Sequence, residues 1–180
     1  MVNGSMADRI VIVTYDPHWP AIFAQLRDRI AAALGPLAIR IEHIGSTAVP
    51  NLAAKPIVDL DVVIANRDDL PAVIRRLQPL GYHHQGDLGV PGREAFTTPP
   101  GTYPHHLYVC AADSAALARH LAFRDLLRAD PQTARAYSEL KRCLAVQFRH
   151  DRAAYTDAKT AFTDAVLASN DTGVPRLVGT

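Results

Sequence analysis

The sequence has few of the features that mark secreted, membrane-bound or nucleic-acid-binding proteins. Only two of its 180 residues are cysteines, Cys110 and Cys143, and they lack both a disulfide framework and the spacing of metal ligands. No apolar run reaches the roughly 20 residues that a membrane-spanning helix needs, and no signal peptide is recognisable. We therefore expect a cytoplasmic protein with reduced thiols and no membrane partner.

The sequence also lacks an excess of charge of either sign. Its 19 Lys and Arg side chains nearly balance its 18 Asp and Glu side chains, which gives a formal net charge of +1. No basic run with interleaved aromatic residues occurs, so a nucleic-acid partner is not expected. Any binding site for an anion must therefore be built locally. A hydrophobic content of 48% is typical of a globular domain.

We expect one domain over residues 7–169. The opening residues 1–5 precede a second methionine, Met6, and resemble a remnant of cloning. The last residues, 170–180, are expected to form a disordered tail. No internal repeat or low-complexity segment divides the chain between them.

Hydrophobic periodicity predicts a mixed sheet with helices first and a helical section last. A run rich in β-branched residues predicts a first strand at Arg9–Tyr15, and helical spacing from Ile22 to Ala33 predicts the helix after it. Further strands are predicted at Ala38–Ile44, Ile57–Ile64, Tyr82–Asp87, Arg93–Thr98 and His105–Cys110, with a helix between Asp68 and Leu80. Three helices are predicted from Ser114 to Ala129, from Pro131 to Arg149 and from Asp151 to Ser169. This order indicates an α+β domain.

The stretch Glu42–Ile64 carries the clearest sign of chemistry. A turn at Gly45 and Ser46 follows an apolar run, and Asp59 and Asp61 stand two residues apart in a predicted strand. Both carboxylates therefore lie on one face of that strand, where an apolar setting makes them costly unless they hold a cation or accept hydrogen bonds. The turn offers backbone N–H groups and a hydroxyl to a phosphate. The stretch predicts a phosphate site with a divalent metal, Mg²⁺ or Mn²⁺.

Cationic side chains from three successive helices are predicted to face this stretch. Arg124 and Arg128 fall within the apolar arc of one helix, and Lys141 and Lys159 lie at or within the apolar stripes of the next two. Snorkelling explains one such cation, but three in succession favour a shared anion pocket; a structural salt-bridge network is the alternative. The predicted phosphate-binding residues are Gly45, Ser46, Lys55, Arg93, Arg124, Arg128, Lys141 and Lys159.

The strand that precedes the Gly-Ser turn also carries polar side chains. Alternation along it predicts that His43 faces the site and that Glu42 lies on the opposite face. His43 is therefore a further candidate for the pocket.

Motifs along most of the chain resemble the GrpB family of bacterial proteins. The matching segments are Y-D-P-H-W-P (Tyr15–Pro20), I-E-H-I-G-S-T-A-V-P (Ile41–Pro50), L-A-A-K-P-I-V-D (Leu52–Asp59), P-G-R (Pro91–Arg93), H-H-L-Y-V (His105–Val109), F-R-D-L-L-R (Phe123–Arg128), L-K-R (Leu140–Arg142) and A-Y-T-D-A-K-T-A-F (Ala154–Phe162). The Gly-Ser turn followed by D-x-D also resembles the DNA-polymerase-beta-like nucleotidyltransferase superfamily. These resemblances imply a nucleotidyltransferase-like mixed sheet with a C-terminal three-helix section packed on it, and a nucleoside triphosphate as substrate or ligand. GrpB domains also occur fused to dephospho-CoA kinase, which implies a partner enzyme.

The nucleotidyltransferase pattern includes a third carboxylate, which is not evident on the predicted strand that begins at His105. His106 and Tyr108 share a face there instead. In one interpretation His106, alone or with His105, replaces the missing ligand, which suits Zn²⁺ or Mn²⁺ better than Mg²⁺. In the other, the site binds a nucleotide or phosphate without transferring it. Glu94 and Asp87 are weaker candidates for the missing acid.

Two functions of different classes follow. The first is a metal-dependent nucleotidyl- or phosphoryl-transfer enzyme acting on a small-molecule acceptor, with Asp59, Asp61 and His106 as catalytic and metal-binding residues. The second is a non-catalytic module that binds a nucleotide or a CoA-type phosphate ligand and assists a partner enzyme. A third, an interaction scaffold, predicts no binding of any phosphate ligand.

Overall fold

The structure is a computed structural model and describes residues 9–171. The described residues form helices α1 Trp19–Leu34, α2 Leu70–Leu77, α3 Ala115–Ala129, α4 Pro131–Gln147 and α5 Arg152–Asp171, and strands β1 Arg40–Ile44, β2 Val58–Ile64, β3 His84–Gly86, β4 Glu94–Phe96 and β5 His105–Ala111. The predicted cloning remnant and the predicted tail from residue 172 onward lie outside the described residues. Within residues 9–171, no helix is both long and apolar enough to cross a membrane.

The five strands form one mixed sheet in the order β1-β2-β5-β4-β3. Strand β2 lies at the junction, since it pairs antiparallel with β1 and parallel with β5. Strands β4 and β3 continue the sheet with antiparallel pairing. The predicted α+β class is confirmed, and the strand that carries the two aspartates is held between two neighbours.

Helices α1 and α2 cover one face of the sheet. The even-numbered residues of β2, from Val58 to Ile64, pack there with Trp19, Ile30 and Leu77 in the largest apolar cluster. Leu60 and Trp19 are fully buried in that cluster. Because side chains alternate along a strand, this packing turns the odd-numbered residues of β2 to the other face.

The three C-terminal helices pack on that other face, as predicted. Ser114 caps α3 by accepting a hydrogen bond from the amide of Leu117, and Asp130 caps α4, which begins at Pro131. Leu117 packs against Val63 of the sheet. The caps explain why the helices start where the sequence predicts, and their packing brings α3, α4 and α5 over the aspartate face.

The predicted first strand, Arg9–Tyr15, is wrong. Only Val13 forms a bridge in this segment, with Ala54 of the loop between β1 and β2. Ile10 is buried instead with Leu144 and Tyr155 of the C-terminal helices. Packing against the helices buries Ile10, whereas Val11 is 48% exposed, so the β-branched composition of the segment does not place it in the sheet.

Replacing Leu60 by Ala tests the packing that orients β2. Leu60→Ala leaves a cavity in the main apolar cluster and is expected to lower the free energy of unfolding by about 2–5 kcal/mol. Ile39→Ala is the control, because Ile39 is 56% exposed. Urea unfolding measures both variants, and equal losses would contradict the described burial of Leu60.

Candidate active site

The strand register gathers the predicted polar residues on one face of the sheet. Asp59 lies opposite His106 of β5, and Asp61 lies opposite Tyr108. Asp61 also lies opposite Glu42 of β1. Residues directly opposite each other share a face, so the two aspartates, His106 and Tyr108 face helices α3 to α5 together.

Asp59 is fixed by a histidine and by a glycine turn. The ring of His106 donates through Nδ1 to Oδ1 of Asp59, at 2.6 Å. The backbone at Gly45 approaches the same carboxylate so closely that a Cβ atom there would collide with Oδ2. Gly45 has φ +69°, a conformation that favours glycine. The turn that sequence analysis assigned to phosphate binding therefore packs directly on the first aspartate.

Asp61 is fully buried and is held by a histidine that sequence analysis missed. His120 of α3 donates through Nδ1 to Oδ2 of Asp61, at 2.7 Å. The other oxygen, Oδ1, is buried without a hydrogen-bond partner among the described residues. Each aspartate of the D-x-D pair thus has its own histidine, from a strand in one case and a helix in the other.

A sequence signal for His120 was present. His120 follows Leu117 by three residues and precedes Arg124 by four, so it shares the helix face that the apolar arc of α3 defines. A histidine on a face aimed at two carboxylates is a candidate partner for one of them. The position of α3 over Asp61, rather than over Asp59, depends on tertiary packing.

A cavity of about 270 Å³ opens beside Asp59. All three lysines of the chain line it, with one arginine, Arg152, that sequence analysis did not select. The lining residues are Ser46, Ala54, Lys55, Ile57, Asp59, His106, Tyr108, Lys141, Arg152, Tyr155, Thr156 and Lys159. Four cationic side chains therefore share the cavity with a single carboxylate.

Lys141 of α4 joins the helical section to the Gly-Ser turn. Only 2% of the residue is exposed, and its ammonium group donates to the hydroxyl of Ser46 at 2.8 Å and to the carbonyl of Ala53. It also lies 4.5 Å from the centre of the Tyr137 ring. Burial, reinforced by the nearby charge of Lys159, lowers the pKa of Lys141 to about 7. The group is poised to change its charge near neutral pH.

Lys55 and Lys159 meet at the ring of Tyr155. Their ammonium groups lie 4.4 Å and 4.6 Å from the ring centre. Burial and the charge of Lys159 lower the pKa of Lys55 to about 8, and burial also lowers the pKa of Lys159, against the opposing attraction of Asp59. Burial is the main cause of these lowered lysine pKa values, and the neighbouring positive charges add to it. Strongly perturbed groups in a cavity are typical of functional sites.

The three arginines predicted to bind phosphate have other partners. Arg124 donates to Glu42 at 2.8 Å and to the carbonyl of His43, and Arg128 donates twice to the carbonyl of Ala48. The guanidinium of Arg93 lies 4.3 Å from the centre of the Tyr108 ring, and its Nε is buried without a hydrogen-bond partner among the described residues. None of the three lines the cavity. Arg124 and Arg128 brace β1 and the loop after it.

The predicted faces of His43 and Glu42 were wrong. The register sets His43 opposite Leu60, on the face covered by α1, and its ring stacks on Phe23. Burial lowers the pKa of His43 to about 4, so the ring is neutral. Glu42 shares the face of Asp61 instead. The side chains of β1 therefore alternate in the opposite sense to the one that the sequence pattern predicted, with His43 toward α1 and Glu42 toward the aspartates.

The weaker candidates for the third carboxylate are also engaged elsewhere. Glu94 is buried and contacts Arg67 at 3.0 Å and His84 at 2.7 Å. Asp87 accepts a hydrogen bond from the amide of Gly89 within its own loop. On β5 the position opposite Asp61 is held by Tyr108, whose pKa burial raises to about 12. A neutral phenol therefore stands beside the second aspartate.

The donor set fits a divalent cation in part. Among residues 9–171 no three His, Cys, Asp or Glu side chains are arranged to hold a metal ion. The buried, unpartnered Oδ1 of Asp61 is nevertheless an oxygen that a cation would satisfy, and Asp59 is on the same face. The residues that could hold Mg²⁺ or Mn²⁺ are Asp59 and Asp61, with His106 favouring Mn²⁺ or Zn²⁺.

Comparison with known proteins identifies the family. Residues 9–169 match the family described as GrpB protein. The chain belongs to the GrpB family. It is 35% identical over 139 residues to the UPF0157 protein YqkA of Bacillus subtilis, which covers 77% of this chain but only 40% of that protein. It is 27% identical to the dephospho-CoA kinase of Mycolicibacterium paratuberculosis over 86% of this chain and 44% of the kinase. The chain thus spans less than half the length of these two relatives.

Solved structures confirm the nucleotidyltransferase-like fold. The crystal structure of the conserved protein GrpB from Enterococcus faecalis superposes with a TM-score of 0.79 at 31% identity, covering 89% of this chain and 99% of that one. The Cid1 poly(U) polymerase, solved with bound MgGTP, superposes with a TM-score of 0.53 at 13% identity, covering 74% of this chain and 44% of that one. At 13% identity, the likeness between this chain and Cid1 concerns the fold alone.

Substituting Gly45 tests the contact between the turn and Asp59. Gly45→Ala adds both an unfavourable φ and a collision with the carboxylate, and we expect a loss of stability of about 1–3 kcal/mol. Gly101→Ala is a matched control, because Gly101 also has positive φ but has open space where a Cβ would lie. Urea unfolding measures both. Equal losses would mean that Asp59 does not restrict the turn.

The pKa of Lys141 predicts a pH-dependent stability. Because the folded-state pKa, about 7, lies below the ordinary value of 10.5, the folded chain binds fewer protons than the unfolded chain between those values. The contribution of Lys141 to stability therefore rises as pH rises from about 7 to about 10. In urea unfolding, the free energy of unfolding of the wild type should increase relative to that of Lys141→Met over this pH range. Arg135→Met, on the exposed side of α4, should show a constant difference.

Proposed function

We propose that this GrpB-family protein binds a nucleoside triphosphate, or another phosphorylated small molecule, and transfers a nucleotidyl or phosphoryl group from it with a divalent metal. The observation that carries the proposal is the cavity in which all three lysines of the chain surround one carboxylate, Asp59. Four basic side chains beside one carboxylate favour the binding of an anion of several charges. An oligophosphate chain supplies them.

The residues of the cavity suit the parts of such a reaction. Ser46 and the backbone of the turn at Gly45 would hold the terminal phosphates, because a hydroxyl and amides donate to phosphate oxygens. Lys141 and Lys159 would neutralise the charge that develops on these oxygens during transfer. Lys55, whose ammonium group lies 4.4 Å from the centre of the Tyr155 ring, adds a third ammonium group to the cavity.

The two aspartates would hold the metal. A divalent ion stabilises the entering and leaving oxygens of a phosphoryl or nucleotidyl transfer when it is bound. His106 orients Asp59 and His120 orients Asp61, as histidine partners of metal-binding groups commonly do. In this role His106 is a positioning residue as well as a candidate ligand.

The relatives support the proposal without extending it. Cid1, which shares the fold, is a poly(U) polymerase solved with MgGTP. At 13% identity this likeness concerns the fold, and function depends on the site that the fold carries. The acceptor of the group transferred by the GrpB protein is therefore proposed only as a small molecule.

A second candidate function is a non-catalytic module that binds a nucleotide or CoA-type ligand and assists a partner enzyme. One observation favours it: His106 and Tyr108 occupy the positions on β5 next to the aspartates, where a third carboxylate would complete a nucleotidyltransferase centre. The relative named dephospho-CoA kinase, longer than this chain, suggests the kind of partner.

Calorimetric titration tests binding and metal dependence together. We expect ATP to bind and Lys159→Met to weaken binding by about tenfold or more, since a charge-assisted hydrogen bond contributes about 1.5–3 kcal/mol. Arg75→Gln is the charge-matched control, because Arg75 is exposed on α2, across the sheet from the cavity. Titrations of ATP, CTP, GTP and CoA are run with and without Mg²⁺ or Mn²⁺.

The aspartates decide between the two candidate functions. A transferase should lose its metal-dependent increment of binding in Asp59→Asn and in Asp61→Asn, along with any release of pyrophosphate or ADP. Metal-independent binding that survives both substitutions would instead support the non-catalytic module. If Lys159→Met and Arg75→Gln behave alike, the cavity is not the binding site.

A further inference from the structure

We infer that the site recognises a compact oligophosphate chain by itself and makes no stacking contact with a nucleobase. The inference rests on the proposed function, because it specifies which part of the ligand the cavity reads. Its class of ligand is a di- or triphosphate group, whether free as inorganic oligophosphate or attached to any nucleoside.

The size of the cavity favours a phosphate chain over a whole nucleotide. At about 270 Å³ it is smaller than the 300–1,000 Å³ typical of pockets that enclose a drug-sized organic ligand. A nucleoside triphosphate has a base, a sugar and three phosphates, so most of it cannot lie inside. A phosphate chain alone suits a cavity of this volume.

The aromatic side chains of the lining carry the second step. A base is held without sequence readout mainly by stacking on an aromatic ring. Tyr155 already has the ammonium groups of Lys55 and Lys159 within 4.6 Å of its ring centre. Tyr108 has the guanidinium of Arg93 at 4.3 Å from its ring centre. Both rings are thus used to hold cations. The third ring of the lining, His106, is hydrogen-bonded to Asp59 and lies 6.1 Å from the Tyr108 ring, centre to centre.

The remaining lining is polar or small. Apart from the two tyrosines, the apolar residues are Ala54 and Ile57, neither of which offers a flat surface for a base. The hydroxyls of Ser46 and Thr156 and four cationic groups make up most of the rest. The charged donors of such a lining can replace the water that hydrates phosphate oxygens. The lining offers little apolar surface that would make the burial of a purine or pyrimidine ring favourable.

A ligand series on the wild-type protein tests the inference. Titration calorimetry with inorganic triphosphate, pyrophosphate, ATP, GTP, CTP, UTP and adenosine, each with and without Mg²⁺, is expected to give affinities for triphosphate and the four nucleotides within about threefold of one another. Adenosine should not bind. A stacked base would instead raise affinity roughly five- to 150-fold over inorganic triphosphate.

The outcomes separate the inference from the proposed function. Equal affinities for inorganic triphosphate and the nucleotides support both. Nucleotides that bind at least about fivefold more tightly than triphosphate, or that differ about fivefold by base, overturn the inference and leave the proposed function standing. If no phosphate ligand binds, both fail.

The lysine content of the chain gives an independent readout. Lys55, Lys141 and Lys159 are the only lysines, so an amine-acylating reagent can modify only these side chains and the terminal amine. Lys141 is only 2% exposed and is not expected to react, whereas Lys55 and Lys159 are partly exposed. Mass spectrometry should show that inorganic triphosphate protects Lys55 and Lys159 as fully as ATP does, while the terminal amine stays reactive. Protection by ATP but not by triphosphate would overturn the inference.

Discussion

The hydrogen bonds of the Lys141 ammonium group are the contacts on which the site depends. Lys141 comes from α4, whereas its partners Ser46 and Ala53 lie in the loop between β1 and β2. That loop also begins at Gly45, which packs on the carboxylate of Asp59. One buried side chain therefore fixes the C-terminal helices, the Gly-Ser turn and the first aspartate relative to one another. The cavity exists because this junction leaves a gap beside Asp59.

The charges of the site are arranged in two layers. At the sheet, each aspartate contacts a histidine, so the carboxylates are stabilised by hydrogen bonds even without a metal. Above them, the lysines have only Asp59 as a nearby carboxylate, and burial, reinforced by neighbouring positive charges, lowers the pKa values of Lys55 and Lys141. In the first layer every carboxylate oxygen that faces a histidine is hydrogen-bonded, and Oδ1 of Asp61 alone of the Asp61 oxygens has no partner among the described residues. In the second layer basic side chains outnumber carboxylates. An anion bound between the layers would supply the negative charge that the basic side chains of the cavity lack.

Local patterns predicted most of the fold, and tertiary packing decided the rest. Asp59 and Asp61 could be assigned to one face because strand alternation is a local property. The contact of His120 with Asp61 could not, because it depends on where α3 docks on the sheet. The segment from Arg9 to Tyr15 has the composition of a strand, but only one of its residues, Val13, forms a bridge. Its residue Ile10 is buried against the C-terminal helices and not in the sheet. Arg124 and Arg128 lie on the predicted face of α3, but they bind Glu42 and backbone carbonyls and do not line the cavity.

The use of lysine in the cavity has a physical reason. Of the 19 Lys and Arg residues, 16 are arginines, and the three lysines all line one cavity. A guanidinium keeps its charge when buried and so needs a permanent partner, as Arg124 and Arg128 have. A buried lysine can release its proton, so a cluster of lysines does not have to hold several unpaired charges when the cavity contains no anion. When an oligophosphate enters, the same side chains can take up protons and become its counter-ions. Under the proposed function, lysine would let the empty cavity avoid unpaired charges and still supply positive charge to a polyanion.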